Sequence, residues 1–271
     1  GRHLLADSLG AHPAQALLRS PDTDGETRAF LHQAQNIRRY GIERLGLKAN
    51  RSYTRYKELD RDHLVDVVSA CAGDSFTAYT WRYPLLGRLP YRGYYRPEDA
   101  RAEASRLKAE GWDVIVRPVD AFSTLGFTRD PLYSFMKGYS DYELASLILH
   151  EQVHATLFVK GQTQFSEELA TLVGQEGALA WLADARGAGS PEFRSVLEQI
   201  ADGEAFTAML RGLADELDQV YRSPLSRERK LARKGELIAG FRERIQAVGR
   251  ERIRTEDYRS MTTPQLNNAY M

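Results

Sequence analysis

Apolar residues recur at helical spacing through residues 12–47, in "PAQALLRS" and again in "TRAFLHQAQNIRRYGIERLGL", so this stretch is predicted to be mostly helical. The pattern then changes. "LVDVVSAC" at 64–71 is rich in β-branched residues and predicts a strand. "SFTAYTWRYPLL" predicts a second strand, interrupted at Pro84. In "RPEDARAEASRLKAEGW" Pro97 opens a helix, acids fill its first turn and Gly111 closes it. "WDVIVRPV" predicts a strand, and "AFSTLGF" another.

After Asp130-Pro131 the pattern turns helical. Ser140 and Glu143 stand at capping-box spacing and predict a helix running to about Phe158. Gly161 marks a loop, and a second helix is expected from near Ser166 to beyond Trp181. From Pro191 to about Tyr258 the chain reads as two long, charge-laced helices joined near "RSPLSRE" as an antiparallel pair. The expected fold class is α+β, predominantly helical, with a small mixed sheet and that long helical pair. It is read as one unit with two lobes: a mixed α/β lobe at 1–139 and a helical lobe at 140–271.

Composition narrows the chemistry. Lys and Arg together number 37, as do Asp and Glu, so the net charge is zero and gives no general attraction to nucleic acid or anionic lipid. The basic run "RKLARKGELIAGFRERIQAVGRERIR" is interleaved with acids and reads as a solvated helix face. No run of 18 apolar residues offers a membrane span. Cys71 is the single cysteine, so an internal disulfide or a thiolate metal site is out of reach, and a buried structural thiol is expected.

The stretch that asks for an explanation is "LILHEQVHATLFVK" at 147–160. It sets two histidines and a glutamate in an oily helix, where an unpaired charge would cost several kcal/mol. Positions i and i+4 share one helix face, with Cβ atoms about 5–6 Å apart. His150 and His154 can therefore meet one Zn²⁺ at about 2.0–2.1 Å each. Glu151 is one residue on, so it flanks the metal and is placed to take a proton from water there. A third ligand is needed, and Glu167, Glu168 and Glu176 on the next helix are candidates. About a dozen residues separate His154 from Glu167, enough for a loop and an antiparallel return. Ala170, Gly174 and Gly177 would let the two helices approach closely. Spacing alone leaves Glu167 and Glu168 open.

These residues sit among others that together resemble a known group. "RSYTRYKELDR" at 51–61, "LPYRGYY" at 89–95, "AFSTLGFTRDPL" at 121–132, "HATLFVKGQTQFSEELATLVGQEGALAWL" at 154–182 and "LNNAY" at 266–270 resemble the predicted bacterial aminopeptidases, a family of HExxH zinc peptidases of gluzincin type. The resemblance implies a zincin-like fold and one Zn²⁺ held by His150, His154 and Glu167, with Glu151 as general base. The family's Phe-Asn-Glu-Ser-x-Ala-Thr reads here Phe165-Ser166-Glu167-Glu168-Leu169-Ala170-Thr171, with Ser166 expected to serve as an N-cap. Family members often carry cysteines before "PYRGYF"; Tyr83 and Arg88 stand there instead. The resemblance also implies an exported, periplasmic or lipid-tethered protein whose signal has been removed.

It further implies a peptide or protein substrate and no nucleic acid. "STLGFTRDP" reads either as a core strand ending in an Asp-Pro turn or as an edge strand that pairs with substrate. That second reading makes Ser123, Thr124, Leu125 and Gly126 candidate substrate contacts. Asp130 and Glu168 are candidate anchors for a free α-amine. Arg92, Tyr94 and Tyr95 are candidates for the cleft wall or for aromatic packing. An endopeptidase, or a metal-stabilised scaffold without turnover, are the alternative functions.

Overall fold

The computed structural model describes residues 10–83, 87–119, 130–159, 161–248, 253–254 and 266–271. The chain is α+β and predominantly helical, and it divides into two compact units. The first comprises residues 1–62 and 122–194, the second 63–121 and 195–271. The boundary expected at 139/140 falls inside the first unit.

The first unit opens with a two-residue strand β1 (His12–Pro13), a short helix α1 (Ala14–Arg19) and a long helix α2 (Gly25–Glu43). Asp24 caps α2, its carboxylate accepting the Thr27 N–H at 2.8 Å. Strand β2 (Arg55–Lys57) lies between β1, antiparallel to it, and Leu132–Tyr133, parallel to it. A short 3₁₀ turn, Ser134–Gly138, leads into helix α4 (Asp141–Thr156). The expected capping box forms: Ser140 Oγ accepts the Glu143 N–H, and Glu143 Oε2 accepts the Ser140 N–H at 2.8 Å. The helix ends at Thr156, short of the expected Phe158, because Leu157 turns to extended backbone.

Helix α5 (Thr163–Arg186) runs back along α4. Its far end returns to the start of α4, where Arg186 pairs with Asp141 at 2.7 Å. α5 begins earlier than the sequence suggests, so the expectation that Ser166 caps it is corrected. Ser166 lies inside the helix, almost fully buried; its Oγ donates to Gln162 O at 3.0 Å and accepts the Val159 N–H at 3.2 Å. The close approach expected from small residues is present. A Cβ on Gly174 would lie 2.9 Å from the Ser146 carbonyl oxygen and 3.1 Å from His150 Cβ, and Ala170 is fully buried. On its other side α4 meets α2, where a Cβ on Gly41 would collide with Leu149 and Gln152.

The second unit is built on an antiparallel sheet. Strand β3 (Val65–Ala72) sits between β6 (Tyr91–Tyr94) and β7 (Trp112–Val119), with a hairpin of β4 (Trp81–Tyr83) and β5 (Gly87–Leu89) beside it in sequence. The single strand expected at 75–86 is thus a bridge at Ala78 followed by β4; Pro84 lies outside the described residues. Helix α3 (Pro97–Ala109) covers one face. Ala100, Ala104 and Leu107 pack on Val68, Ala70 and Val114, the inward residues of the alternating strands. Gly111 reverses the chain after α3 at φ +85°, a conformation that favours glycine.

Helices α6 (Pro191–Arg222) and α7 (Arg227–Ala247) form the expected long pair. Their contacts run in opposite order: Lys230 Nζ donates to Tyr221 O at 2.6 Å and Arg244 meets Glu216 at 3.3 Å. Phe206, Leu213, Leu217 and Tyr221 of α6 pack on Ile238, Phe241 and Ile245 of α7 and on Leu266. The "LNNAY" segment docks through Asn268. Its N–H reaches Asp113 Oδ2 at 2.7 Å, its amide reaches Ala72 O at 2.7 Å, and its Oδ1 accepts from the Tyr221 hydroxyl at 2.7 Å. The mostly buried Lys234 pairs with the same Asp113 carboxylate. Cys71 is a buried thiol, as expected, and burial followed by Asp113 pushes its pKa up to about 11.

The packing at Gly174 predicts opposite signs for two glycine substitutions. Gly174→Ala forces a methyl against backbone and should cost about 1–3 kcal/mol, more than the ~1 kcal/mol that alanine gains in a helix. Gly240→Ala meets nothing within 4 Å and should stabilise by up to about 1 kcal/mol. Chemical denaturation of the two variants checks both signs.

Candidate metal centre

The antiparallel return of α5 brings three donor atoms together. His150 Nε2 and His154 Nε2 lie 3.0 Å apart, and each lies 3.4 Å from Glu167 Oε2. Atoms bonded to one ion at about 2.0–2.1 Å with tetrahedral angles stand about 3.3–3.4 Å apart, so the triangle fits three corners of such a site. Two nitrogens and one carboxylate oxygen also suit a borderline metal ion in chemical kind. Among the described residues this is the one group of three or more His, Cys, Asp or Glu side chains that could hold a metal ion.

The electrostatics agree with a site that keeps the His150 imidazole neutral. Burial and then the neighbouring His154 hold the pKa of His150 below its ordinary value, against the pull of Glu167. A neutral ring is the form that binds metal.

Glu151 lies on the same helix and is only 4% exposed. Its Oε2 is buried and has no hydrogen-bond partner among the described residues. Burial, then the carboxylates of Asp130 and Glu167, push its pKa up to about 7. A buried carboxylate left with an unsatisfied oxygen is costly in a purely structural role. It is suited to holding and releasing a proton near neutral pH.

A sequence profile of the family described as "putative aminopeptidase" matches residues 5–271. The chain belongs to this family. No curated protein and no solved structure matches it. Membership in this aminopeptidase family supports a peptidase acting on a peptide substrate.

Glu167 stands at the two histidines, while Glu168 is exposed and accepts from Gln164 Nε2 at 2.9 Å. Glu176 is likewise exposed, on the part of α5 near Tyr142. Asp130 lies near enough to raise the pKa of Glu151. Arg92 and Tyr94 belong to the second unit, where the guanidinium stacks 5.2 Å from the Tyr94 ring centre and Tyr94 packs on the sheet core. Ser123, Thr124, Leu125 and Gly126 lie outside the described residues.

Two residues close to the site escape sequence reasoning. Asn50 donates to the Glu151 carbonyl oxygen at 3.2 Å. Tyr53, 1% exposed, has the Glu151 and Asp130 carboxylates among the charges that act on its phenol. Neither carries a periodicity or a ligand spacing. The turn-forming "ANRS" predicts a loop, and "RSYTRYKELDR" carries Tyr53 within the resemblance, but neither says what the loop touches.

The metal group predicts a split between two adjacent acids. Glu167→Gln should weaken Zn²⁺ binding by more than tenfold, whereas Glu168→Gln should leave it unchanged. Competition with a coloured chelator reads both.

Proposed function

We propose that the chain is a zinc-dependent aminopeptidase with a zincin-like core, whose Zn²⁺ is held by His150, His154 and Glu167. The observation that carries this reading is the pairing of a tetrahedral-sized donor triangle with an unsatisfied, buried Glu151 carboxylate one residue from a ligand. Membership in an aminopeptidase family supports the substrate class.

A Zn²⁺ held by His150, His154 and Glu167 would supply Lewis acidity, polarising a scissile carbonyl and lowering the pKa of water. Glu151 receives a proton on Oε2 from the attacking water and returns it to the leaving amine. A carboxylate in this position can accept that proton and hand it on. Glu167 serves as ligand.

The preference for a free amino terminus is assigned to Asp130. Its carboxylate lies near enough to act on Glu151, and a carboxylate outside the ligand set can pair with an ammonium group. The resemblance also favours an exported or lipid-tethered location. Among the described residues no helix is long and apolar enough to cross a membrane.

Glu151→Gln should retain Zn²⁺ and lose turnover by at least a hundredfold. Elemental analysis and assay with an unblocked peptide measure the two effects, and full activity in that variant removes Glu151 from the mechanism. Acetylating the peptide amino terminus should abolish cleavage. Cleavage of the acetylated peptide would instead make the enzyme an endopeptidase.

A further inference from the structure

The loop between α2 and β2 grips the last turn of α4 at several points. Lys48 N–H donates to Thr156 Oγ1 at 2.9 Å, and that hydroxyl donates to Gln152 O at 2.7 Å. Asn50 Nδ2 donates to Glu151 O at 3.2 Å, and Gln152 Nε2 donates to Arg38 O at 3.1 Å. The loop is itself held by Arg38, whose guanidinium donates to Asn50 Oδ1 at 2.8 Å, to Asn50 O at 2.7 Å and to Ser52 O.

At the end of this loop stands Tyr53. It is the one non-glycine residue at positive φ among the described residues, at 58°. Such a conformation is uncommon for a bulky side chain and persists where its surroundings enforce it. Here its N–H is tied to Asp130 O at 2.6 Å, and its ring is buried. The left-handed backbone thus fastens Asp130, two residues before the strand Leu132–Tyr133, and the ring is held inside. Burial, then the Glu151 and Asp130 carboxylates, keep that phenol protonated.

Helix ends fray. In α4 the final turn carries His154 and follows directly on Glu151. We propose that residues 48–52 are a positioning clasp for this turn: Asn50 fixes the Glu151 backbone, Lys48 fixes Thr156, and between them they hold His154 in place. Asn50 is a positioning residue, acting through the backbone of α4 without touching substrate. The inference rests on His150, His154 and Glu167 holding the metal.

The test compares Asn50→Ala with the unmodified protein. Zn²⁺ affinity is read by chelator competition, melting temperature by circular dichroism, and kcat and KM with an unblocked peptide. Asn50→Ala should lower Zn²⁺ affinity about tenfold while the melting temperature stays near that of the unmodified protein. A purely structural loop would lower the melting temperature and leave Zn²⁺ affinity alone, and that result overturns the proposal. If the unmodified protein binds Zn²⁺ but cleaves no peptide, the peptidase reading falls, and the Asn50 affinity measurement alone upholds or overturns the clasp.

Discussion

The close antiparallel approach of α4 and α5 is the constraint on which the site depends. Helix axes normally stand 8–10 Å apart, and the distance is set by the smallest side chains in the contact. At Gly174 there is no room for even a methyl group against Ser146 and His150. That nearness, about two turns beyond Glu167, lets a glutamate of one helix reach two imidazoles of the other. A wider spacing would leave the same residues within the same elements and separate the donors.

The polar groups of α4 follow from that packing. The helix buries Leu144, Ala145, Ile148, Leu149 and Val153, and with them Glu151, Gln152 and His154. Each buried polar group needs a partner or a purpose. Gln152 satisfies its amide N–H on Arg38 O, which ties α4 to α2. Glu151 keeps an unsatisfied oxygen. Gln152 Oε1 and His154 Nδ1 are likewise buried without a partner among the described residues. The second unit applies similar chemistry to a different end. There Asp113 collects Lys234 and the Asn268 N–H, so a buried ion pair becomes the anchor for the last residues of the chain. Such a pair is weak evidence for stability in itself, but it fixes where the terminal segment docks.

Much of this was legible because local rules and tertiary outcome agree. Pro97 with Glu98 and Asp99 opens α3, and β7 covers the stretch whose β-branched residues announced it. The Ser140–Glu143 box needs no partner outside its own turn, so its sequence spacing suffices. Where pairing is long-range, the sequence is silent. Strands β1 and Leu132–Tyr133 are two residues long and have no period to read. The start of α5 was misplaced at Ser166 because serine favours N-caps; in the folded loop its hydroxyl closes onto Val159 and Gln162 instead.

The sequence by itself determined the i, i+4 histidines, the intervening glutamate and the apolar helix that holds them, because these follow from helical periodicity alone. It also determined that small residues line the returning helix. Spacing left Glu167 and Glu168 open, the resemblance implied Glu167, and only the tertiary structure shows which of the two stands beside the histidines. Consecutive helical residues point about 100° apart, and the face that meets the histidines is set by how the helices pack. The tertiary structure alone likewise brought Asn50, Tyr53 and Asp130 to Glu151, since their closeness depends on loop closure and strand pairing across long separations in the chain, which no local pattern encodes.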